Sequence, residues 1–323
     1  MNGGMLEVVS GRHNAGIDPG LHVWGWEVPV YLFLGGLAAG LLIWSAWIEI
    51  ASGRRPESQA LRWGPWLAIV ALTLGMGALF LDLAYKVHVW RFYLAFKPSS
   101  PMSWGSWILV LVYPIAGMAG LGGTSPEERA LVGTALQRVH LDGVFGRLVG
   151  WADSGRRPWL GASMAVGIAL GVYTGILLGS MASRPAWNSG LLGPLFLVSG
   201  LSTGAALLLL LHPTPRERHQ LAGWDGVAMG VEVTLLALLL LQFATSGQSG
   251  LLALRELTVG AHGASFWSLV VIGGLLVPLA VVLLERFRGL PHTPLAPILV
   301  LFGGIALRVI LVSAGQATGF RAL

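Results

Sequence analysis

The protein has 323 residues, 54% hydrophobic and only 11% charged, with a mean hydropathy of +0.72. A soluble domain carries about 25% charged residues, so this sequence lacks the charge to cover a water-facing surface, and an ordinary cytosolic enzyme and a disordered polypeptide are both excluded. The net charge of +5 reads as membrane topology, not nucleic-acid binding, and the absence of cysteine excludes disulfides, thiolate metal sites and an iron–sulfur cluster on this polypeptide.

Residues 1–25 form a polar segment without the charged start and apolar run of a signal peptide, so the first span is expected to insert uncleaved. Apolar stretches of the roughly 20 residues that a bilayer helix needs then occur at 26–50, 64–85, 101–121, 159–181, 190–211, 223–245, 264–286 and 294–316. Each is too long and too continuously apolar for a barrel strand. The expected fold is therefore an all-α integral membrane protein, with eight transmembrane helices as two four-helix bundles. Helices 1–3 lie within 26–121, helix 4 is 159–181, helices 5–8 lie within 190–316, and 317–323 is a short tail. One connection is long. In 122–158, Ser125 can cap a helix whose first turn holds Glu127 and Glu128. The segment reads as an amphipathic helix on the membrane surface, with a solvated loop as the alternative.

Twelve Lys and Arg fall on the side of the 122–158 segment and seven on the other, with Arg308 inside the last span. The richer side is expected to be cytoplasmic and both termini extracytoplasmic. Most of the 14 Trp, among them Trp24, Trp187, Trp44 and Trp63, fall near span ends as interfacial anchors. Gly36-Leu-Ala-Ala-Gly40 and Gly200-Leu-Ser-Thr-Gly204 sit at corresponding places in spans 1 and 5. Either the two halves are related by duplication, or small residues serve close helix approach.

None of the eight His sits at the centre of a span, so an intramembrane b-type haem, usually His-ligated, is not expected. Ionisable residues inside a bilayer are costly and therefore functional candidates. Glu27 and Tyr31 share a face of span 1; Asp82 ends span 2, with Lys86 one turn on, followed by His88, Arg91 and Tyr93; Tyr173 lies in span 4, and Arg184 and Asn188 follow in the outer loop. Their common depth points to one polar region at the outer ends of the first four helices. Asp225 and Glu232 share a face of span 6, and Arg308 lies at a similar depth in span 8. A Glu232–Arg308 pair reads either as a structural clamp or as part of a proton path.

The segments WGWEVPVYLFLGGLAAG (24–40), RFYLAFKPSSPMSWGSWIL (91–109) and SRPAWNSGLLGPLFLVSGLSTGAA (183–206), with Arg308 and AGQ at 314–316, resemble the polysulfide reductase membrane-subunit family, also called NrfD-like proteins. The resemblance implies a quinone- or menaquinone-binding subunit of the prokaryotic cytoplasmic (inner) membrane without haem or iron–sulfur of its own. It implies an extracytoplasmic ferredoxin-like iron–sulfur subunit as partner, and beyond it a molybdopterin catalytic subunit or a multihaem cytochrome. It also places the quinone near the outer face within the first four helices, with Tyr173 at the headgroup. The family position of Tyr31 can be His with Asn three residues earlier, where this sequence has Val28. On that reading Tyr31, Tyr173, Arg91, Arg184 and Asn188 bind the quinone, and Asp82, Glu27 and His88 take its protons. A passive membrane anchor and a secondary transporter are the competing classes.

Overall fold

The structure is a computed structural model describing residues 24–83, 85–94, 96–138, 140–181, 183–289 and 293–318; the expected extracytoplasmic N-terminal segment and C-terminal tail lie almost wholly outside these. Among the described residues there are helices and no strands. In chain order they are α1 (Glu27–Ser52), α2 (Gln59–Asp82), α3 (Arg91–Leu94), α4 (Pro101–Gly123), α5 (Pro126–Gln137), α6 (Asp142–Ser154), α7 (Arg156–Gly179), α8 (Leu192–Leu210), α9 (Pro215–Thr245), α10 (Gly247–Thr258), α11 (Gly263–Arg288) and α12 (Leu295–Ala317). Eight of them, all but α3, α5, α6 and α10, are long and apolar enough to cross a membrane, and they coincide with the eight predicted spans. By that number of crossings both ends of the described polypeptide lie on one face, here the terminal face. The opposite, arginine-rich face carries α5 and α6.

Local chemistry accounts for the helix ends. α9 starts at Pro215, earlier than the apolar run, because Thr214 and Glu217 form a capping box. Ser125 caps α5 as expected, its hydroxyl accepting from the Glu128 N–H (3.2 Å) while the Glu128 carboxylate accepts from the Ser125 N–H (2.6 Å). The expected single surface helix is two, α5 and α6. His140 adopts a left-handed φ of 56°, and the Leu141 N–H reaches back to the Leu136 carbonyl at 3.1 Å, a helix-terminating arrangement. α10 lies outside every expected element: its buried Gly250, Ala253 and Leu257 recur at helical spacing, but the segment is too short and polar to read as a span.

α1 and α8 form the central seam. A Cβ on Gly40 would lie 2.0 Å from the Gly200 carbonyl oxygen, and one on Gly204 2.7 Å from the Gly40 Cα. The two small-residue motifs therefore pack on each other, backbone to backbone, which is the close-approach alternative of the two readings. Trp44, expected as an anchor, is buried and donates from Nε1 to the Leu201 carbonyl at 2.8 Å across this seam. Trp187 is likewise no belt residue: it is buried, stacks on Trp24 at 4.9 Å and donates to the Leu311 carbonyl at 2.8 Å. Both apolar cores cross the seam. One joins Val28, Tyr31 and Leu32 to Phe196 and Leu307; the other joins Leu41, Leu109 and Leu170 to Ala205 and Leu208. The halves thus share their cores and do not each enclose a separate one.

At the arginine-rich face, Arg156 grips Glu49 through two bonds (2.7 and 2.5 Å) and donates to the Ala119 carbonyl at 2.5 Å, tying α7 to α1 and α4. Asp153 accepts from both Arg129 and Arg55, and these cations hold its carboxyl below the usual range.

Candidate functional site

The terminal ends of α1, α2, α4 and α7, with α3 and the 3₁₀ turn before it, enclose a cavity of about 550 Å³. Pro101 in its first turn starts α4. At the next turn Gly105 leaves space that Tyr173 fills: a Cβ there would lie 1.9 Å from the Tyr173 ring Cζ and 2.0 Å from its hydroxyl. Gly77 of α2 keeps the opposite wall open. The walls are otherwise apolar, and Phe80, Phe92 and Met102 on the rim are each 40% or more exposed, as suits a mouth that faces lipid tails.

Polar groups reach this cavity from five elements: Tyr31, Thr73, Asp82, Tyr93, Ser106 and Tyr173. Tyr31 is 3% and Tyr173 7% exposed, and neither phenol hydrogen-bonds any described residue. Both line the cavity with no protein partner for the hydroxyl, so both are available to a ligand. Thr73 and Ser106 are occupied: Thr73 donates to the Ile69 carbonyl at 2.7 Å and meets the Tyr113 hydroxyl at 3.2 Å, and Ser106 donates to the Ser103 carbonyl at 2.8 Å. Burial pushes the Tyr93 phenol above its ordinary pKa, so at neutral pH it stays a hydrogen-bond donor. Asp82 closes α2 at the lip of the cavity, half-buried.

Of the residues expected in the outer polar region, Tyr31, Asp82, Tyr93 and Tyr173 are thus brought together. The others do not line the cavity. Glu27 sits in the first turn of α1 with its carboxylate folded towards Gly25. His88 is exposed in the 3₁₀ turn. Arg91 lies over the Trp90 ring, 5.6 Å from its centroid. Arg184 donates to the Gln316 carbonyl at 2.7 Å and so holds the end of α12. Asn188 is exposed, its carbonyl accepting from Gln242 at 3.5 Å. Lys86 donates to the Leu83 carbonyl at 3.2 Å and forms no ion pair with Asp82 among the described residues. Sequence reasoning misses Thr73, Gly105 and Ser106. A usable signal is the tyrosines: Tyr31, Tyr93 and Tyr173 line the cavity and Tyr113 adjoins it, four of the five in the protein.

The second polar group lies between α8, α9 and α12. Ser202 donates to Asp225 at 2.6 Å. Arg308, wholly buried, donates to Ser199 Oγ at 2.5 Å and to the Gly304 and Phe196 carbonyls at 3.0 and 3.2 Å. The expected direct contact of Glu232 with Arg308 is not made: the guanidinium is taken up by Ser199 and two backbone carbonyls, and no ion pair joins it to Glu232 among the described residues. The guanidinium is drawn towards the seam instead, where its Nη2 lies 2.9 Å from where a Cβ of Gly36 would stand. A void of about 10 Å³ lined by Ser199, Ser202, Thr203 and Glu232 has room for about one water. Asp225 also lines a vestibule of about 250 Å³ with His212, Arg218 and Glu285 at the arginine-rich face.

The sequence profile of the family described as "Polysulphide reductase, NrfD" matches residues 16–320. The C polypeptide of the polysulfide reductase of Wolinella succinogenes is 30% identical over 311 residues, covering 91% of the present sequence and 94% of that one. Protein NrfD of Escherichia coli is 29% identical over 320 residues, covering 92% and 96%. The C component of the selenate reductase of Mesobacillus selenatarsenatis is 27% identical over 206 residues, covering 58% and 47%.

Proposed function

Because the chain belongs to the polysulphide reductase NrfD family, we propose that it is the quinol-binding membrane subunit of a respiratory oxidoreductase complex. In this reading it exchanges electrons between the quinone pool, menaquinone included, and an extracytoplasmic iron–sulfur subunit. The observation that carries it is the pair of buried phenols, Tyr31 and Tyr173, without partners in one apolar-rimmed cavity. A quinol headgroup needs a hydrogen-bonding group at each ring oxygen and an apolar way in for its tail. Tyr31 and Tyr173 meet the oxygens, and the Phe80–Phe92–Met102 rim admits the tail. Oxidation of the quinol releases two protons and two electrons. Asp82, at the lip, is the carboxylate placed to take a proton, with Glu27 and His88 beyond it at the surface. The electrons pass to a ferredoxin-like iron–sulfur subunit docked on the terminal face, and from it to a molybdopterin enzyme or multihaem cytochrome. Arg184 and Asn188 then act indirectly, by fixing the loop beside the site, and Arg91 offers a surface charge to that partner.

The charge asymmetry supports a cytoplasmic arginine-rich face and extracytoplasmic termini in a prokaryotic inner membrane. A further role in conducting protons is favoured by the vestibule that reaches Asp225, by the Asp225–Ser202 hydrogen bond and by the small void that Glu232 shares with Ser199 and Ser202.

The test uses the assembled complex. Tyr173→Phe removes one hydroxyl and keeps the ring, and loss of a neutral hydrogen bond of about 0.5–1.5 kcal/mol is expected to raise the KM for quinol several-fold. Asp82→Asn is expected to lower kcat by about 10²-fold with little change in KM. Both variants should assemble normally. Wild-type quinol oxidation by both would mean that the protein is a passive anchor or that its site lies elsewhere. Purification without any iron–sulfur protein would favour a transporter.

A further inference from the structure

A second large cavity, about 440 Å³, lies at the arginine-rich face, between the start of α2, the end of α4 and the surface helices α5 and α6. Its size falls within the roughly 300–1,000 Å³ of ligand pockets. Trp63, Trp66, Leu131, Val132 and Phe145 give it apolar walls. Trp63 is half exposed, and indoles at this position mark the boundary between headgroups and tails.

The charged side chains around the cavity are nearly all committed. Glu128 accepts from the Ser125 N–H (2.6 Å) and the Trp63 indole (3.1 Å). Arg129 donates to Asp153 at 2.6 and 3.0 Å and to Thr124 at 3.1 Å. Arg62 is different. Its side chain forms no hydrogen bond or ion pair with a described residue and its Nε is buried without a partner, although the Glu128 carboxylate is near enough to feel its charge. A guanidinium has five N–H donors and no acceptor, and leaving the buried Nε–H unanswered beside apolar walls is unfavourable. The occupant that satisfies both features carries an anion for Arg62 and a long apolar body for the cavity. A free anion would leave the apolar walls empty, a lipid without a phosphate would leave Arg62 unanswered, and a zwitterionic phospholipid would bring a second cation beside Arg62. We propose that this cavity is a specific site for an anionic phospholipid, its phosphate on Arg62 and an acyl tail between Trp63, Trp66, Val132 and Phe145.

The full-length protein, delipidated in neutral detergent, would be titrated with phosphatidylglycerol, phosphatidylcholine or inorganic phosphate, with the thermal midpoint and retained lipid measured. Phosphatidylglycerol is expected to raise the midpoint and to be retained over phosphatidylcholine. Arg62→Gln should weaken the phosphatidylglycerol effect about fivefold, the size of one basic contact to an anionic lipid, and Arg62→Lys should restore most of it. Val132→Trp, which fills the apolar part and leaves the charge, should weaken it too. Equal effects of the two lipids would overturn the proposal. So would an equal effect of phosphate alone, or unchanged phosphatidylglycerol binding by Arg62→Gln.

Discussion

Gly40→Leu is expected to leave almost no folded protein in the membrane. The α1–α8 seam is backbone against backbone there, and a Cβ would already stand 2.0 Å from the Gly200 carbonyl oxygen and 3.0 Å from the Gly204 Cα. Neither atom belongs to a side chain that can swing away, so the helices must separate. Separation opens both apolar cores, because each is built from residues on the two sides of the seam. Gly40→Ala should already cost about 1–3 kcal/mol, the usual penalty of overpacking. Gly117→Ala in α4 is the control: nothing lies within 4 Å of its Cβ position, and alanine favours a helix over glycine by up to about 1 kcal/mol. The check is the fraction of monodisperse protein after detergent extraction and its thermal midpoint. A Gly40→Leu variant as stable as wild type would mean that α1 and α8 do not meet at these glycines.

Gly105→Ala is expected to do the reverse, sparing the fold and disabling the site. Its Cβ would strike the tip of Tyr173, not backbone, and the cavity beside that tip gives the ring somewhere to go. A shift of about 1 Å in a positioning group can cost about 10²-fold in rate, so quinol oxidation should fall by that order while the thermal midpoint barely moves. Adding Tyr173→Phe to Gly105→Ala should then cost little more, since residues in direct contact do not contribute independently. Full activity in Gly105→Ala, or full additivity with Tyr173→Phe, would count against a headgroup held by Tyr173.

What is legible in the sequence depends on depth and direction. Depth is written in hydropathy: every span is readable, and the common level of Tyr31, Asp82 and Tyr173 follows from where their spans end. Direction around a helix is not written there. α1 is apolar on nearly its whole circumference, since most of it is buried among four other membrane helices, so no polar stripe announces which side faces a cavity. Residues of equal depth therefore look equivalent, and Arg184, whose guanidinium is spent on the Gln316 carbonyl, groups with Tyr173, whose hydroxyl is free. Gly105 is hidden for a related reason: a glycine speaks through what fills its missing side chain, and Tyr173 is far away in sequence. The Glu232–Arg308 reading places both groups at one level, but the guanidinium is answered by Ser199, a small hydroxyl on a third helix, and by backbone carbonyls. The glycine motifs of spans 1 and 5 are visible as a pair, whereas their contact with each other needs the packing.

The proposed function stands on where a quinone headgroup rests. A photoreactive quinone analogue, applied to the assembled complex and mapped by peptide mass spectrometry, tests that directly. The label is expected on the terminal ends of α1, α4 and α7, around Tyr31, Ser106 and Tyr173, to be competed by unmodified menaquinone, and to fall sharply in the Tyr31→Phe, Tyr173→Phe double variant. Label confined to α9, α11 or α12, or undiminished in the double variant, would contradict a quinone site in the tyrosine-lined cavity.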